Sequence, residues 1–243
     1  MASVLGHSYE TYSRHLPMIL LFSISFVIAL LIPVFASFPT YGDMGALFLR
    51  TSSVFLNIDY INGAIIVFST LFSILFLSFA IVAICIIVKH SRTYTKIAKE
   101  VMDGIEKYTA KVFLVLLLYA LIVLVLQIFS YISGIPSAVA SLIALAFTPL
   151  FFYAPASIVI DDKRVIRSIQ ASISFFMSRL DYFLLWLAIA IVVLSAFDYV
   201  FVSLTSADIS RYVMLVFNAL FIMPFLVVLQ AEMYMRRFKL LKG

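Results

Sequence analysis

The segment Gly63–Val88, GAIIVFSTLFSILFLSFAIVAICIIV, runs for 26 residues without a charged side chain. An α-helix rises ~1.5 Å per residue and a hydrocarbon core is ~30 Å thick, so such a segment can cross a bilayer with some tilt. Five further apolar segments of 22 to 24 residues surround it: Leu16–Phe38, Val112–Ser133, Ser137–Ile160, Tyr182–Leu204 and Tyr212–Tyr234. The sequence therefore predicts an all-α integral membrane protein with six transmembrane helices.

The overall composition agrees with this fold class. Hydrophobic residues make up 65% of the chain and charged residues 12%, whereas soluble domains are nearer to about a half and about a quarter. Six crossings use most of the 243 residues, and no remaining connection is long enough for a globular domain of ordinary size. We expect residues 1–243 to form a single six-span membrane domain.

The distribution of positive charge predicts the orientation. All but Arg50 and Arg211 of the 17 Lys and Arg residues lie in four segments, which alternate with the apolar ones: Met1–His15, Lys89–Lys111, Asp161–Asp181 and Met235–Gly243. Basic residues concentrate in the cytoplasmic loops of membrane proteins. This rule predicts a multi-pass protein of the cell membrane with cytoplasmic N- and C-termini. It also explains the net charge of +5 without a nucleic-acid partner.

Two segments leave alternatives open. Arg14 and the apolar run that ends at Val34-Phe35-Ala36 resemble a signal peptide, but the run exceeds the usual length of 7–15 residues, roughly. We therefore expect a retained first helix. The segment Pro39–Asn62 on the opposite side is apolar enough to form an interfacial helix or a re-entrant element.

Two of the basic connections have the periodicity of amphipathic helices. In both, apolar residues recur at steps of three and four, which places them on one helix face. The first stripe is Tyr94, Ile97, Val101, Ile105 and Tyr108, and the second is Ile166, Ile169, Ile173, Phe176 and Leu180. Ser168 lies away from the second stripe, and Asp161 and Asp162 suit the N-terminus of its helix. We predict two cytoplasmic amphipathic helices whose apolar faces contact lipid or pack beneath the bundle.

A resemblance to a known family begins within the fourth apolar segment. Residues 147–162, FTPLFFYAPASIVIDD, continue into an amphipathic helix with Ser168 and Ser172. This pattern resembles a poorly characterised group of archaeal and bacterial multi-pass membrane proteins, which includes the membrane domain fused to some glycerophosphodiester phosphodiesterases. The resemblance covers residues 147–184 and implies a six-helix fold without a settled activity. The chain has no phosphodiesterase domain, so that activity is not carried over.

Polar residues inside the predicted crossings are the candidate functional residues, because a charge in hydrocarbon is costly. Asp198 lies near the end of the fifth crossing, and Arg211 at the start of the sixth is placed to pair with it. A role of Asp198 in substrate or ion passage is the alternative. Gln127 and Asn218 are uncharged and can hydrogen-bond across helices or bind a ligand.

Proline residues mark candidate helix bends. Pro149 and Pro155 both lie in the fourth crossing, where each removes a backbone N–H and disturbs the helix. Such a bend can expose carbonyl groups at a substrate site or serve ordinary packing.

No catalytic, cofactor or metal site emerges from the sequence. The three histidines and the single cysteine, Cys85, show no ligand spacing, and no nucleophile motif is present. We expect a non-enzymatic protein, an accessory or structural subunit of a larger membrane assembly. The alternative is a permease subunit that works with a separate ATPase. The expected partners are membrane lipids and either another membrane protein or further copies of the chain.

Overall fold

The structure, a computed structural model, describes residues 2–35, 60–91, 97–204 and 207–236. This part of the chain is all-helical and contains no strand. Its helices are α1 (Ala2–Arg14), α2 (Leu16–Phe35), α3 (Tyr60–His90), α4 (Ile97–Ile132), α5 (Ser137–Phe152), α6 (Ala154–Asp161), α7 (Val165–Ser178), α8 (Leu180–Leu204), α9 (Ala207–Phe217) and α10 (Met223–Met235). A π-helical turn, Asn218–Ile222, joins α9 to α10.

The number of possible crossings is five to six. Five spans of the described chain are long and apolar enough to cross a membrane: 64–90, 99–130, 139–161, 180–201 and 212–235. The pair formed by α1 and α2 passes the same test only jointly, and it is bent by 89°. The predicted all-helical fold is thus confirmed, and the apolar helices are compatible with a membrane protein. The predicted interfacial or re-entrant segment lies outside the described residues up to position 59, and α3 begins at Tyr60.

The second half of α3 is the centre of the core. Every residue from Val82 to Val88 is buried, and α3 contacts α2, α4, α6 and α10. A helix that is apolar on all sides is stable in such a position, because its neighbours enclose it. The uncharged character of this segment is therefore required by packing as well as by any membrane crossing.

Gly104 allows α3 and α4 to approach closely. A Cβ atom added at Gly104 would lie 2.4 Å from Cδ1 and 3.1 Å from Cγ1 of Ile86. Real carbon atoms do not approach this closely without displacement. The small residue therefore accommodates Ile86, which is buried in the core.

Helix α1 closes one end of the bundle. It packs on α10, and the Thr11 hydroxyl donates a hydrogen bond of 3.3 Å to Oε1 of the buried Glu232. Four lysine residues lie at the same end: Lys89, Lys107, Lys111 and Lys163. We refer to it as the basic end, and to the end with the α4–α5 turn as the far end. Gly134 in that turn has φ +65°, a conformation that glycine adopts without strain.

The first predicted amphipathic helix is not a separate element. Residues 97–111 form the start of α4, which continues without interruption to Ile132. Val101 and Tyr108 on this part are buried against the core, whereas Met102 and Glu106 are exposed. The amphipathic pattern therefore reflects one side of a long helix that packs on α3.

The second predicted amphipathic helix exists as α7, but its buried face is different. Ser168, Ser172 and Phe175 are buried where α7 contacts α5 and α6, whereas Ile166 is 72% exposed. Ser168 lies away from the apolar stripe as predicted, but it is this serine side, and not the stripe, that packs on the neighbouring helices. Small hydroxyl residues allow the close approach of α7 to its neighbours, and the Ser168 hydroxyl donates to the Val165 carbonyl of its own helix at 2.6 Å.

Protein coverage decreases toward the far end. Of the apolar window in each span, 61% is buried for α3, 17% for α4 and 6% for α8. Helix α8 meets α5 near the start of α8, where the Phe152 ring contacts the rings of Phe183 and Trp186 at centroid distances of 5.1 and 4.7 Å. The core therefore lies toward the basic end, and α8 presents most of its surface outside the bundle.

Candidate functional site at the basic end

The fourth predicted crossing is interrupted at Tyr153, between α5 and α6. Pro155 lies in the first turn of α6, where its missing N–H is tolerated. Side chains from other helices bind the backbone beside this break. The Nε2 of Gln230 donates to the carbonyl oxygen of Phe152, and the Tyr153 N–H donates to Oγ of Ser172 at 2.9 Å. Neighbouring helices thus satisfy groups that the break disturbs, as a membrane helix requires.

Below this break, a polar face follows α6 to the basic end. Tyr153, Ser157 and Asp161 are spaced by four residues and therefore lie on one side of the helix. Oδ2 of Asp161 accepts hydrogen bonds from the Tyr234 hydroxyl at 2.7 Å and forms an ion pair with Nζ of Lys163 at 2.5 Å. This pair is mostly buried, because the side chains of Lys163 and Asp161 are 24% and 9% exposed.

Asp162 ends α6 in a left-handed conformation. Its φ of 53° is the one positive value at a non-glycine residue in the described chain. The Nζ of Lys107 lies 2.5 Å from Oδ2, and the Nζ of Lys111 lies 3.3 Å from Oδ1. The hydrogen bond from Lys107 lowers the pKa of Asp162, and Lys111 adds to this effect. Two residues of α4 thus hold the end of α6 through one carboxylate.

The prediction that Asp161 and Asp162 begin an amphipathic helix was therefore wrong. Asp161 is the last residue of α6, and the helix that follows begins at Val165 after Arg164. Carboxylates at a helix C-terminus are unfavourable because the carbonyl groups there are partly negative. Lysine side chains compensate for this arrangement: beyond the ion pairs, Nζ of Lys89 donates to the Val159 carbonyl at 2.7 Å.

Tyr108 brings three of the lysines together. The Nζ atoms of Lys89, Lys107 and Lys111 lie 5.8, 4.9 and 5.4 Å from the centroid of its ring. These distances are in the range of cation–π contacts. With Lys163 they form what we call the lysine cluster, Lys89, Lys107, Lys111 and Lys163. Three of its ammonium groups pair with the carboxylates of Asp161 and Asp162, and the four lysines together exceed these two carboxylates by two positive charges.

The structure places two of the predicted site residues in different settings. Nε2 of Gln127 donates to Oγ of Ser141 at 3.2 Å, which is a bond between α4 and α5. Asn218 is fully buried in the π-helical turn, and neither its Nδ2 nor its Oδ1 has a hydrogen-bond partner among the described residues. Asp198 and Arg211 belong to α8 and α9, but their side chains lie outside those that the structure describes.

The two prolines of the fourth crossing also differ. Pro149 lies inside α5, which continues past it to Phe152. The interruption is instead at Tyr153, two residues before Pro155. Proline has no backbone N–H, so Pro155 cannot donate the usual helix hydrogen bond to the Phe151 carbonyl. The break at Tyr153 lies between these two residues.

Sequence reasoning missed the lysine cluster as a site. Lys107 and Lys111 are spaced by four residues and Lys163 follows the two aspartates directly, so a local signal was present. What the sequence could not show is that α3, α4 and the turn after α6 meet at one point. The described residues contain no group of three His, Cys, Asp or Glu side chains that could hold a metal ion.

Comparison with known proteins adds no relatives. No family model, no curated protein and no solved structure matches the chain. The resemblance of residues 147–184 to the membrane domain of some phosphodiesterases therefore stays a prediction.

Proposed function

We propose that this chain is a non-enzymatic accessory subunit of a larger assembly in the cell membrane, with both termini in the cytoplasm. The observation that carries the proposal is the exposure of α8. Only 6% of the apolar window of this helix is buried within the chain. A crossing that makes so few contacts with its own bundle has most of its surface available for another helix.

The exposed residues of α8 include a regular stripe. Leu180, Leu184, Leu187 and Ile191 are spaced by four, three and four residues, and each is exposed. This is the spacing of a helix–helix seam, in which apolar side chains insert between those of a partner. Lipid tails can cover leucine equally well, so the case for a protein partner also depends on the polar residue of this helix.

Asp198 makes a protein partner the better explanation. This residue belongs to the same sparsely covered helix, and a carboxylate in hydrocarbon is costly unless a polar group or another chain accommodates it. Lipid tails offer no such group, whereas a helix of a second subunit can. Pairing with Arg211, at the start of the next crossing, is compatible with this role.

Photo-cross-linking in native membranes tests the proposal. A photoreactive amino acid at Leu187 is expected to give a discrete protein adduct, because this position lies in the middle of the stripe. The matched control is Phe129 on α4, which is also exposed at 60%. Lipid adducts alone at Leu187, or a cross-link within the same chain, would contradict the proposal. The size of the adduct distinguishes a second copy from a different protein.

The alternative, a permease subunit that works with a separate ATPase, is favoured by one observation. Helix α7 exposes Ile166 and Met177, while its buried Ser172 binds the backbone at the break in the fourth crossing. A protein that docks on the exposed side of α7 would therefore contact an element that touches this break.

Purification in mild detergent separates the two functions: a stoichiometric ATPase supports the permease, and another membrane protein supports the accessory subunit. In a reconstituted transport assay, unchanged activity of Asp198→Asn would remove this residue from ion coupling.

A further inference from the structure

One face of α4 continues from the lysine cluster into an exposed apolar stripe. Lys107, Lys111, Leu114, Leu118, Leu121 and Val125 are spaced by four, three, four, three and four residues. Positions with this spacing lie along one side of a helix. The two lysines are followed by four aliphatic side chains that are 51%, 41%, 47% and 62% exposed. The face therefore has a cationic end and an apolar length.

The dimensions of this face match one leaflet of a bilayer. From Leu114 to Val125 the helix rises by about 16 Å at ~1.5 Å per residue, and half of a hydrocarbon core is ~15 Å. An occupant that uses the whole face must be anionic at one end and apolar over the rest. A free anion would use only the lysines, and an acidic soluble peptide could not follow the stripe into hydrocarbon.

The lysines have capacity for an anion beyond the one they already hold. Lys107 and Lys111 bind Asp162, but each ammonium group has three N–H donors. Their side chains are 53% and 33% exposed, so the remaining donors are accessible. Lys89 adds a third ammonium group near the Tyr108 ring, and the lysine cluster keeps its excess of two positive charges after both aspartates are counted.

We propose that this face of α4 binds a phospholipid with an anionic headgroup, from the leaflet at the basic end. The phosphodiester and the headgroup anion contact Lys107 and Lys111 beside Asp162. One acyl chain follows Leu114, Leu118, Leu121 and Val125. Basic clusters at the cytoplasmic ends of transmembrane helices are known sites for such lipids, because the inner leaflet carries a negative surface potential.

Native mass spectrometry of the full chain, delipidated in mild detergent, tests the proposal. Dioleoyl phosphatidylglycerol is expected to bind at one copy per chain and at least about tenfold more tightly than dioleoyl phosphatidylcholine. The double variant Lys107→Gln/Lys111→Gln should weaken phosphatidylglycerol binding by about 30-fold, since each lysine near the surface contributes about fivefold. Equal binding of the two lipids would overturn the proposal.

A charge-matched control keeps the test decisive. Arg164→Gln/Arg167→Gln removes the same charge from exposed positions near the basic end, and it should leave the affinity within about threefold of the parent chain. If it weakens phosphatidylglycerol as much as the lysine variant does, the effect is general electrostatics and the site is refuted.

Two further measurements address a variant that fails to fold and the source of the bound anion. If the lysine double variant fails to fold, the triple variant with Asp162→Asn avoids the unpaired carboxylate and carries the same expected loss. Inorganic phosphate alone should not displace bound phosphatidylglycerol at millimolar concentration. Displacement by phosphate would show a site for free anions and would overturn the assignment to a lipid.

Discussion

The Oγ of Ser172 lies 2.9 Å from the backbone nitrogen of Tyr153, whose N–H donates to it. This bond joins the middle of α7 to the break between α5 and α6. Both residues are buried, and the Tyr153 ring also contacts Phe175 of α7 edge-to-face at 4.7 Å. The interruption of the fourth crossing and the position of α7 are therefore parts of one packing arrangement.

Replacing Ser172 with Ala removes the hydrogen-bond acceptor of this pair. Loss of a partner for a buried backbone group costs about 1–3 kcal/mol, so the free energy of unfolding should fall by about 1 kcal/mol or more. For a chain of this size the apparent melting temperature in detergent should fall by about 2–4 °C per kcal/mol.

The chain carries its own reporter for that measurement. Trp186 is the single tryptophan, and its Nε1 donates to the Leu226 carbonyl at 2.8 Å, so its fluorescence reports the packing of α8 on α10. The matched control is Ser174→Ala on the exposed side of α7, which should change the melting temperature by less than about 1 °C. An equal melting temperature for Ser172→Ala and Ser174→Ala would show that the Ser172 bond does not stabilise the fold.

Gly104→Leu should destabilise the packing of α3 on α4. Since even a Cβ atom would lie 2.4 Å from Ile86, a leucine must displace this side chain, and overpacking of this kind costs about 1–3 kcal/mol. The Trp186 melting curve measures the loss. Gly6→Ala is the control, because a Cβ there meets nothing within 4 Å. If Gly104→Leu melts at the temperature of the parent chain, the close approach of α3 and α4 is not tight.

The six apolar segments could be predicted because hydropathy over 20 residues depends on composition alone. The position of α7 could not be predicted in this way. Its apolar stripe left open whether Ile166 packs beneath the bundle or contacts lipid, and Ser168 lies away from that stripe. The structure buries Ser168, because a small side chain suits a close helix contact. Periodicity identifies the apolar face of a helix but not the face that its neighbours cover.

The candidate site shows the same limit. Asp161-Asp162 was interpreted as a helix start, since carboxylates are favourable there. In the structure they end α6, and lysines from α3, α4 and the following turn offset the unfavourable position. That compensation involves residues up to 73 positions apart, as in the Tyr234–Asp161 bond. No pattern of neighbouring residues reveals these long-range contacts. The excess of basic residues in the same segments, by contrast, is evident from the sequence.

The ion pairs of Asp162 should make stability depend on pH in the acidic range. The pKa of this carboxyl is lower in the folded chain than its ordinary value of 3.8, first because of the hydrogen bond from Lys107. A lowered pKa contributes stability that is fully present above the ordinary value and is lost as the pH falls through the folded value. The parent chain should therefore melt above Asp162→Asn at pH 7, and the difference should disappear toward pH 2.

Salt provides an independent check on that interpretation. Asp162 is 46% exposed in this pair, so 0.5 M NaCl should reduce the difference at pH 7 through screening. Asp103→Asn serves as a control, since Asp103 is exposed on the same helix as Lys107. A difference between the parent chain and Asp162→Asn that persists unchanged at pH 2 would contradict an origin in the charge of Asp162, since asparagine also adopts the left-handed conformation readily.

Asn218 and Gln127 should respond differently to replacement by leucine. Gln127 bonds to Ser141, so Gln127→Leu breaks a contact between α4 and α5 and should lower the melting temperature by about 2–4 °C. Asn218 is fully buried without a hydrogen-bond partner in the described part of the chain. Leucine has a similar size and needs no partner, so Asn218→Leu should leave the melting temperature unchanged or raise it by a similar amount. A loss of more than about 4 °C in Asn218→Leu would contradict this expectation and would show that its amide is bound in the native protein.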